Sequence, residues 1–330
     1  MSHDVAGLGN ALVDALVRIP NDALLDRFSL TKGLMHPVDH ARWHEVYDAI
    51  QTLGPEIHTG GSCANTIAAL AMMGADCVYA GQVGEDQFGH LYASRMEEAC
   101  GQHALSFDKA NNTGKCLSII SQDAERTMLT DLGAAVHLAD IGPFADTIRG
   151  ARLLHMTGYL FLGGPVAAAS WKAMDIARDA GVPISIDVAD PFVVSTVKDD
   201  MWRALRDYAQ IAFLNAEEAS ALTGLEPGEA VHRVSEVVDT VIVKMGGKGS
   251  LIKHHGDVTE IGIHRVKAVD TTGAGDAYAA GFLYGWLNDW DPARSGDLGS
   301  RVASLTVEQV GAVVRDVGVL RRAVAQAQEG

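Results

Sequence analysis

Asp270-Thr271-Thr272-Gly273-Ala274-Gly275-Asp276 leads straight into Ala277-Tyr278-Ala279-Ala280-Gly281-Phe282-Leu283, which has the apolar spacing of a buried helix. The small residues Gly273, Ala274 and Gly275 let main-chain N–H groups converge at a helix start. The positive end of the helix dipole adds to them, so the stretch reads as a socket for an anion. Asp276 falls in the first turn beside that socket. A lone carboxylate there would merely complement the dipole. Beside glycines that make room for a close-approaching ligand, it reads as part of that ligand's site.

Other phosphate-binding devices are missing from the sequence. Gly246-Gly247-Lys248-Gly249-Ser250 lacks the glycine and lysine spacing of a P-loop. Gly7-Leu8-Gly9-Asn10 lacks the third glycine of a dinucleotide fingerprint, which argues against a nicotinamide-dependent reductase.

A chain of 330 residues suffices for one large domain or two modest ones, and 48% hydrophobic against 21% charged residues excludes a disordered chain. The balance of 26 basic and 42 acidic residues, −16, repels nucleic acid and anionic membrane, so neither is expected as a partner. Any phosphate site must be built locally. Acids such as Asp14, Asp76 and Glu97 interrupt every apolar stretch short of a membrane span, and Asp4 stands where a signal peptide carries cations. A soluble cytoplasmic protein is expected. Cys63, Cys77, Cys100 and Cys116 are far apart and read as reduced, packed thiols. The neighbours His254 and His255 are expected on opposite faces of a strand, with no metal.

From about residue 60 the pattern alternates between strands (77–82, 153–157, 183–187, 211–214, 240–244) and helices (87–100, 166–179), the signature of βαβ winding around a mostly parallel sheet. Two segments break the rhythm: 14–19, a short strand, and 116–130, two strands around a turn at 122–125. They are expected to meet as a small β-rich lid, the alternative being two unrelated edge hairpins. The expected division is 1–13, 56–112 and 136–330 for the large α/β part, with 14–55 and 113–135 for the lid.

With its DTxGAGD segment the chain resembles the ribokinase-like (PfkB) family of carbohydrate and nucleoside kinases. Gly60-Gly61-Ser62-Cys63-Ala64-Asn65 and Gly81-Gln82-Val83-Gly84-Glu85-Asp86-Gln87-Phe88-Gly89 extend the likeness. It is nearest to the adenosine kinase branch through Gly7-Leu8-Gly9-Asn10-Ala11-Leu12-Val13-Asp14 and Asp190-Pro191-Phe192, whereas residues 31–37, where that branch places part of the base pocket, do not match it residue by residue. The resemblance implies a three-layer α/β/α sandwich with a small β-sheet lid, acting on small molecules as a monomer or homodimer. It implies Asp276 as catalytic base, with Gly273, Ala274 and Gly275 around the phosphoryl group.

Asn10, Asp14, Gly61, Ser62 and Asn65 would bind the acceptor. An ionised Asp14 suits two vicinal hydroxyls, and Gly60 and Gly61 would let backbone approach a sugar. For ATP the resemblance implies Asn215, Gly246, Gly249, Gly273 and Gly275. Asn215-Ala216-Glu217-Glu218 matches an NxxE motif in which Asn215 and Glu218 hold Mg²⁺ through water, although the same spacing caps helices. Val243 to Gly249 could equally be a plain hairpin turn, and Arg126 either a lid cation on the phosphate or a solvated tip charge. Asp270 and Thr272 are implied beside a monovalent cation, K⁺. The expected reaction is ATP-dependent phosphorylation of adenosine or a close purine nucleoside. A sugar kinase acting on ribose, fructose or 2-keto-3-deoxygluconate, and a non-catalytic nucleoside-binding regulator, are the alternatives.

Overall fold

The computed structural model describes residues 3–123 and 125–329. Its strands are β1 (His3–Leu8), β2 (Leu12–Arg18), β3 (Met35–Pro37), β4 (Glu56–Gly60), β5 (Cys77–Gly84), β6 (Ala104–Asp108), β7 (Gly114–Ile120), β8 (Arg126–Asp131), β9 (Ala151–Thr157), β10 (Ile184–Asp187), β11 (Ile211–Asn215), β12 (Thr240–Lys244), β13 (Ser250–His254) and β14 (Asp257–Ile261). The larger sheet has the order β14-β13-β12-β11-β10-β9-β1-β5-β6. It is parallel from β12 to β6, with β13 and β14 added antiparallel at one edge.

Successive residues of a strand point to opposite faces, and here both faces are apolar because both are covered. Leu154, Ile186, Leu214 and Val243 join the core with helices Gly164–Asp179, Pro191–Asp207, Ala216–Thr223 and Pro227–Val234. Their neighbours Leu153, Phe213 and Ile242 join the core with Ser62–Met73, Ala274–Leu287, Pro292–Val307 and Val317–Glu329. The result is the expected three-layer α/β/α sandwich. From β1 the chain winds to β5 and β6 on one side and then to β9 on the other, so a crevice opens at the carboxyl ends near β1 and β9. Thr157, Asp187, Asn215 and Lys244 end β9, β10, β11 and β12 at that edge. No helix among the described residues is long and apolar enough to cross a membrane.

The smaller sheet, β3-β8-β7-β2-β4, brings the two irregular segments together: β2 runs parallel to β7, which returns antiparallel as β8. Of the turn expected at 122–125, Ala124 lies outside the described residues; Ser121 N donates to Glu125 O at 2.9 Å across its base. The expected boundaries need correction. β4 was assigned to the large part, yet it pairs antiparallel with β2 (Asp14 opposite His58), and β2 itself starts at Leu12.

One face of the small sheet packs Val17, Leu117, Ile119 and Leu129 against Leu25, Phe28, Trp43, Val46 and Ile50. The opposite face carries three cross-strand rows: Asp14-Cys116-Thr130, Leu16-Ser118-Met128 and Arg18-Ile120-Arg126. The expectation for His254 and His255 fails. His255 lies beyond the end of β13 with φ 48°, a turn geometry that brings the two ring centroids within 3.8 Å.

Candidate active site

Gly273 caps helix Ala274–Leu287 in the left-handed region (φ 73°), and a Cβ there would run into Ala312. Glycine is therefore required to seat the loop. One helical turn on, Asp276 Oδ1 accepts from Ser62 Oγ at 2.5 Å and Oδ2 from Asn65 Nδ2 at 2.8 Å, while Thr66 Oγ1 donates to its main-chain oxygen at 3.3 Å. Burial pushes the Asp276 carboxyl above its ordinary range, and the donors Ser62 and Asn65 pull it back. Ser62 and Asn65, expected on the acceptor, thus contact Asp276 itself, because the helix they open, Ser62–Met73, packs against Ala274–Leu287.

Asn10 is 8% exposed with its Oδ1 unpartnered. Beside it the glycine pair, expected to let backbone approach a sugar, is also required by the site's own packing. A Cβ on Gly60 would overlap the Asp14 carboxylate, and one on Gly61 (φ 95°) would overlap the Asn10 carbonyl. The glycines make room for the side chain and backbone of the site as well as for any ligand. Asp14 is pushed up to about 6 by burial, against the pull of Arg126 and with a further push from Asp276. The last push means that Asp14 and Asp276 lie within each other's field.

Arg126, on β8, reaches out of the small sheet. Its Nη1 donates to Thr272 Oγ1, 146 positions away, and Nη2 contacts Met128 Sδ at 2.9 Å. It is therefore not a solvated tip charge. Thr272 in turn donates to Asp270 Oδ1 from N (2.9 Å) and Oγ1 (2.6 Å), while Gly311 N donates to Oδ2 at 3.0 Å. Burial works against the Asp270 carboxylate, but these donors and Arg126 hold its pKa below the ordinary value. The pair implied for K⁺ also braces the loop: N–H and O–H donors engage both Asp270 oxygens.

A cavity of about 770 Å³ extends from Asp276 along the carboxyl edge, past Asp187, Asn215 and Lys244, to Gly246 and Gly249. The turn Gly246–Lys248 does join β12 to β13 as a hairpin, and it is also a cavity wall. Asn215 and Glu218 form a reciprocal cap: Asn215 Oδ1 accepts from Glu218 N (2.8 Å), and the Glu218 carboxylate accepts from Asn215 N (2.8 Å) and Nδ2 (2.5 Å). Glu218, 2% exposed, is pushed up to about 7 by burial and by Asp187. With Asn215 Oδ1 already engaged, this hard-oxygen pair suits a divalent cation held through water rather than directly.

Sequence reasoning missed one feature. Lys244 Nζ donates to Asp187 Oδ2 at 2.8 Å, a nearly buried ion pair on the cavity floor. Nothing local in the sequence marks it. The only available signal was that each residue ends a strand at the carboxyl edge.

A family model described as pfkB family carbohydrate kinase matches residues 35–316. The chain is 27% identical to the adenosine kinase of Saccharomyces cerevisiae, over 94% of this chain and 96% of that protein. Among solved structures it is similar to an adenosine kinase from Sinorhizobium meliloti (TM-score 0.90, 28% identity, 99% of this chain and 100% of that one). It is equally similar to a probable sugar kinase from Rhizobium etli CFN 42 (TM-score 0.90, 30% identity, 99% of each chain).

Proposed function

The chain belongs to the pfkB family of carbohydrate kinases, phosphotransferases with an alcohol group as acceptor, and on that premise we propose that it transfers the γ-phosphoryl group of ATP to the 5′-hydroxyl of adenosine or a close purine nucleoside. Overall likeness does not choose the acceptor, since one neighbour is an adenosine kinase and the other a probable sugar kinase at the same TM-score. The observation that favours a nucleoside is the inner face of the small sheet. Asp14 supplies one carboxylate for a vicinal diol, and the next row, Glu56-Leu16-Ser118-Met128-Met35, carries apolar side chains at Leu16, Met128 and Met35. A ribose on Asp14 would place its base along that row. A simple sugar has no base to lie along it.

In this reading Asp276 takes the proton of the 5′-hydroxyl late in a loose transition state, so a carboxylate of modest basicity suffices. The main-chain N–H groups of Gly273, Ala274 and Gly275 cradle the phosphoryl oxygens, and Arg126 adds a cation when the small sheet closes over the acceptor. Asn10, through its free Oδ1, and Asp14 hold the sugar, while Ser62 and Asn65 keep Asp276 ionised and aimed. Asn215 and Glu218 would hold Mg²⁺ through water, where it supplies charge neutralisation for the nucleotide phosphates.

An ATP-consumption assay across adenosine, inosine, guanosine, cytidine, ribose, fructose and 2-keto-3-deoxygluconate tests the proposal. Adenosine or another purine nucleoside is expected to exceed every free sugar by about 100-fold in kcat/KM, as loss of a fitted base pocket would require. A free sugar as the best acceptor would assign the chain to the sugar kinases, and binding without turnover of any acceptor would make it a regulator.

A further inference from the structure

Lys244 ends β12 beside Asn215 of β11, and its side chain passes the Phe213 ring, with Nζ 5.9 Å from the ring centroid, on its way into the cavity. With Asp187 it forms an ion pair whose side chains are 14% and 5% exposed. Burying such a pair is no cheaper than burying two apolar side chains of the same volume, so its stability alone does not explain its presence. Its position does. Gly275 of the anion loop lacks a side chain on the side where the ammonium stands, and a Cβ at 275 would come within 3.1 Å of Nζ. The charge lies directly against the loop that receives the phosphate.

Asp187 takes one of the three N–H donors of Lys244, which leaves two for the cavity. Three carboxyl groups, Asp187, Glu218 and Asp276, line the same cavity in a chain of net charge −16, and the other cation of its lining, Arg265, is on the exposed segment after β14 rather than on the strand ends. A polyphosphate entering here needs a local cation. Burial works against the ammonium, but Asp187 and Glu218 outweigh it and hold Lys244 above its ordinary range, so it is charged at neutral pH.

We propose that Lys244 binds the β- and γ-phosphoryl oxygens of the nucleotide with the two N–H groups that Asp187 leaves free, and that Asp187 is the positioning residue that holds the ammonium beneath Gly275. This rests on the kinase reading of the cavity and not on the identity of the acceptor.

The test is calorimetric binding of ATP, ADP and AMP to the full chain, without acceptor, for Asp187→Asn, Lys244→Met and the double variant. Lys244→Met strands the buried Asp187 and could unfold the protein for that reason; the double variant removes both charges and keeps the comparison valid. Asp187→Asn still offers an oxygen to Lys244 and should stay within about fivefold of wild type for ATP. Both variants lacking Lys244 should lose about 10- to 100-fold in affinity for ATP and ADP, the usual scale for hydrogen bonds to a charged group, and less than about threefold for AMP. Lys244→Arg should recover part of the loss. Equal ATP affinity in the double variant and in Asp187→Asn would overturn the proposal and leave Lys244 a structural partner of Asp187. Turnover of wild type with the acceptor panel separately reports whether the nucleoside reading stands, and wild type that binds no ATP would sink the kinase reading of the cavity and this assignment with it.

Discussion

Asp276 has to be ionised to accept a proton, yet its place in a buried first turn disfavours the charge; Ser62 and Asn65 offset this by donating to its two oxygens. Asp276→Asn keeps the shape and removes the basicity. It should lower kcat by about 10²–10⁴-fold, the ordinary contribution of a positioned general base, while ATP affinity moves less than about threefold. Steady-state kinetics with a separate binding titration checks this, and a variant retaining a tenth of kcat would remove Asp276 from the base role. The Asp270 to Asp276 stretch was legible because its glycines and acid lie together in seven residues. The ion pair of Asp187 and Lys244 was not, since its members are 57 positions apart and become neighbours only when β10 and β12 end at the same sheet edge. The roles of Ser62 and Asn65 were hidden for a similar reason: the sequence marks them as polar groups at a helix start, and only helix packing shows that they face Asp276.

At the scale of elements, the small sheet has its own core with helices Ala23–Arg27 and His40–Ile50, and its inner face meets the loop before helix Ala274–Leu287 through Arg126 and Thr272. Such a unit can move as a body while keeping its own packing. If it closes over the acceptor, adenosine should slow amide hydrogen exchange in peptides covering 14–20 and 116–130, and ATP alone should not. Arg126→Ala should then lower kcat by at least about tenfold with little change in acceptor KM, because its contact with the phosphoryl group exists only in the closed state. Unchanged exchange together with an unaffected kcat would make the small sheet a static scaffold. The strands β2, β7 and β8 could be read from alternation. β3 and β4 could not: three residues ending in Pro37, and five ending in a glycine, carry too little periodicity to be distinguished from loop, and both owe their strand character to the edge they complete.

For the molecule as a whole, the site sets a pH dependence on stability. Asp14 moves from an ordinary 3.8 to about 6 on folding, and Glu218 from 4.5 to about 7, both chiefly through burial. A carboxyl whose pKa is raised by folding contributes stability that is fully present below its ordinary value and is lost as pH rises through the folded value. Between about pH 4 and 7 the ligand-free protein therefore loses stability as these groups ionise, about 2–3 kcal/mol for Asp14 alone. A nucleoside whose hydroxyls donate to the Asp14 carboxylate favours the ionised form, so its stabilising effect must grow over the same interval. The rise in Tm on adding saturating adenosine should be clearly larger at pH 7.5 than at pH 5. Asp14→Asn should raise the Tm of the ligand-free protein at pH 7.5 by about 2–4 °C, weaken adenosine binding, and abolish the pH dependence of the adenosine shift. Calorimetric or fluorimetric melts of both proteins at the two pH values decide the matter. A ligand-free Tm lowered by Asp14→Asn at pH 7.5 would mean that the Asp14 carboxylate is stabilised within the fold by Arg126. An equal adenosine shift at the two pH values would mean that the hydroxyls do not rest on Asp14.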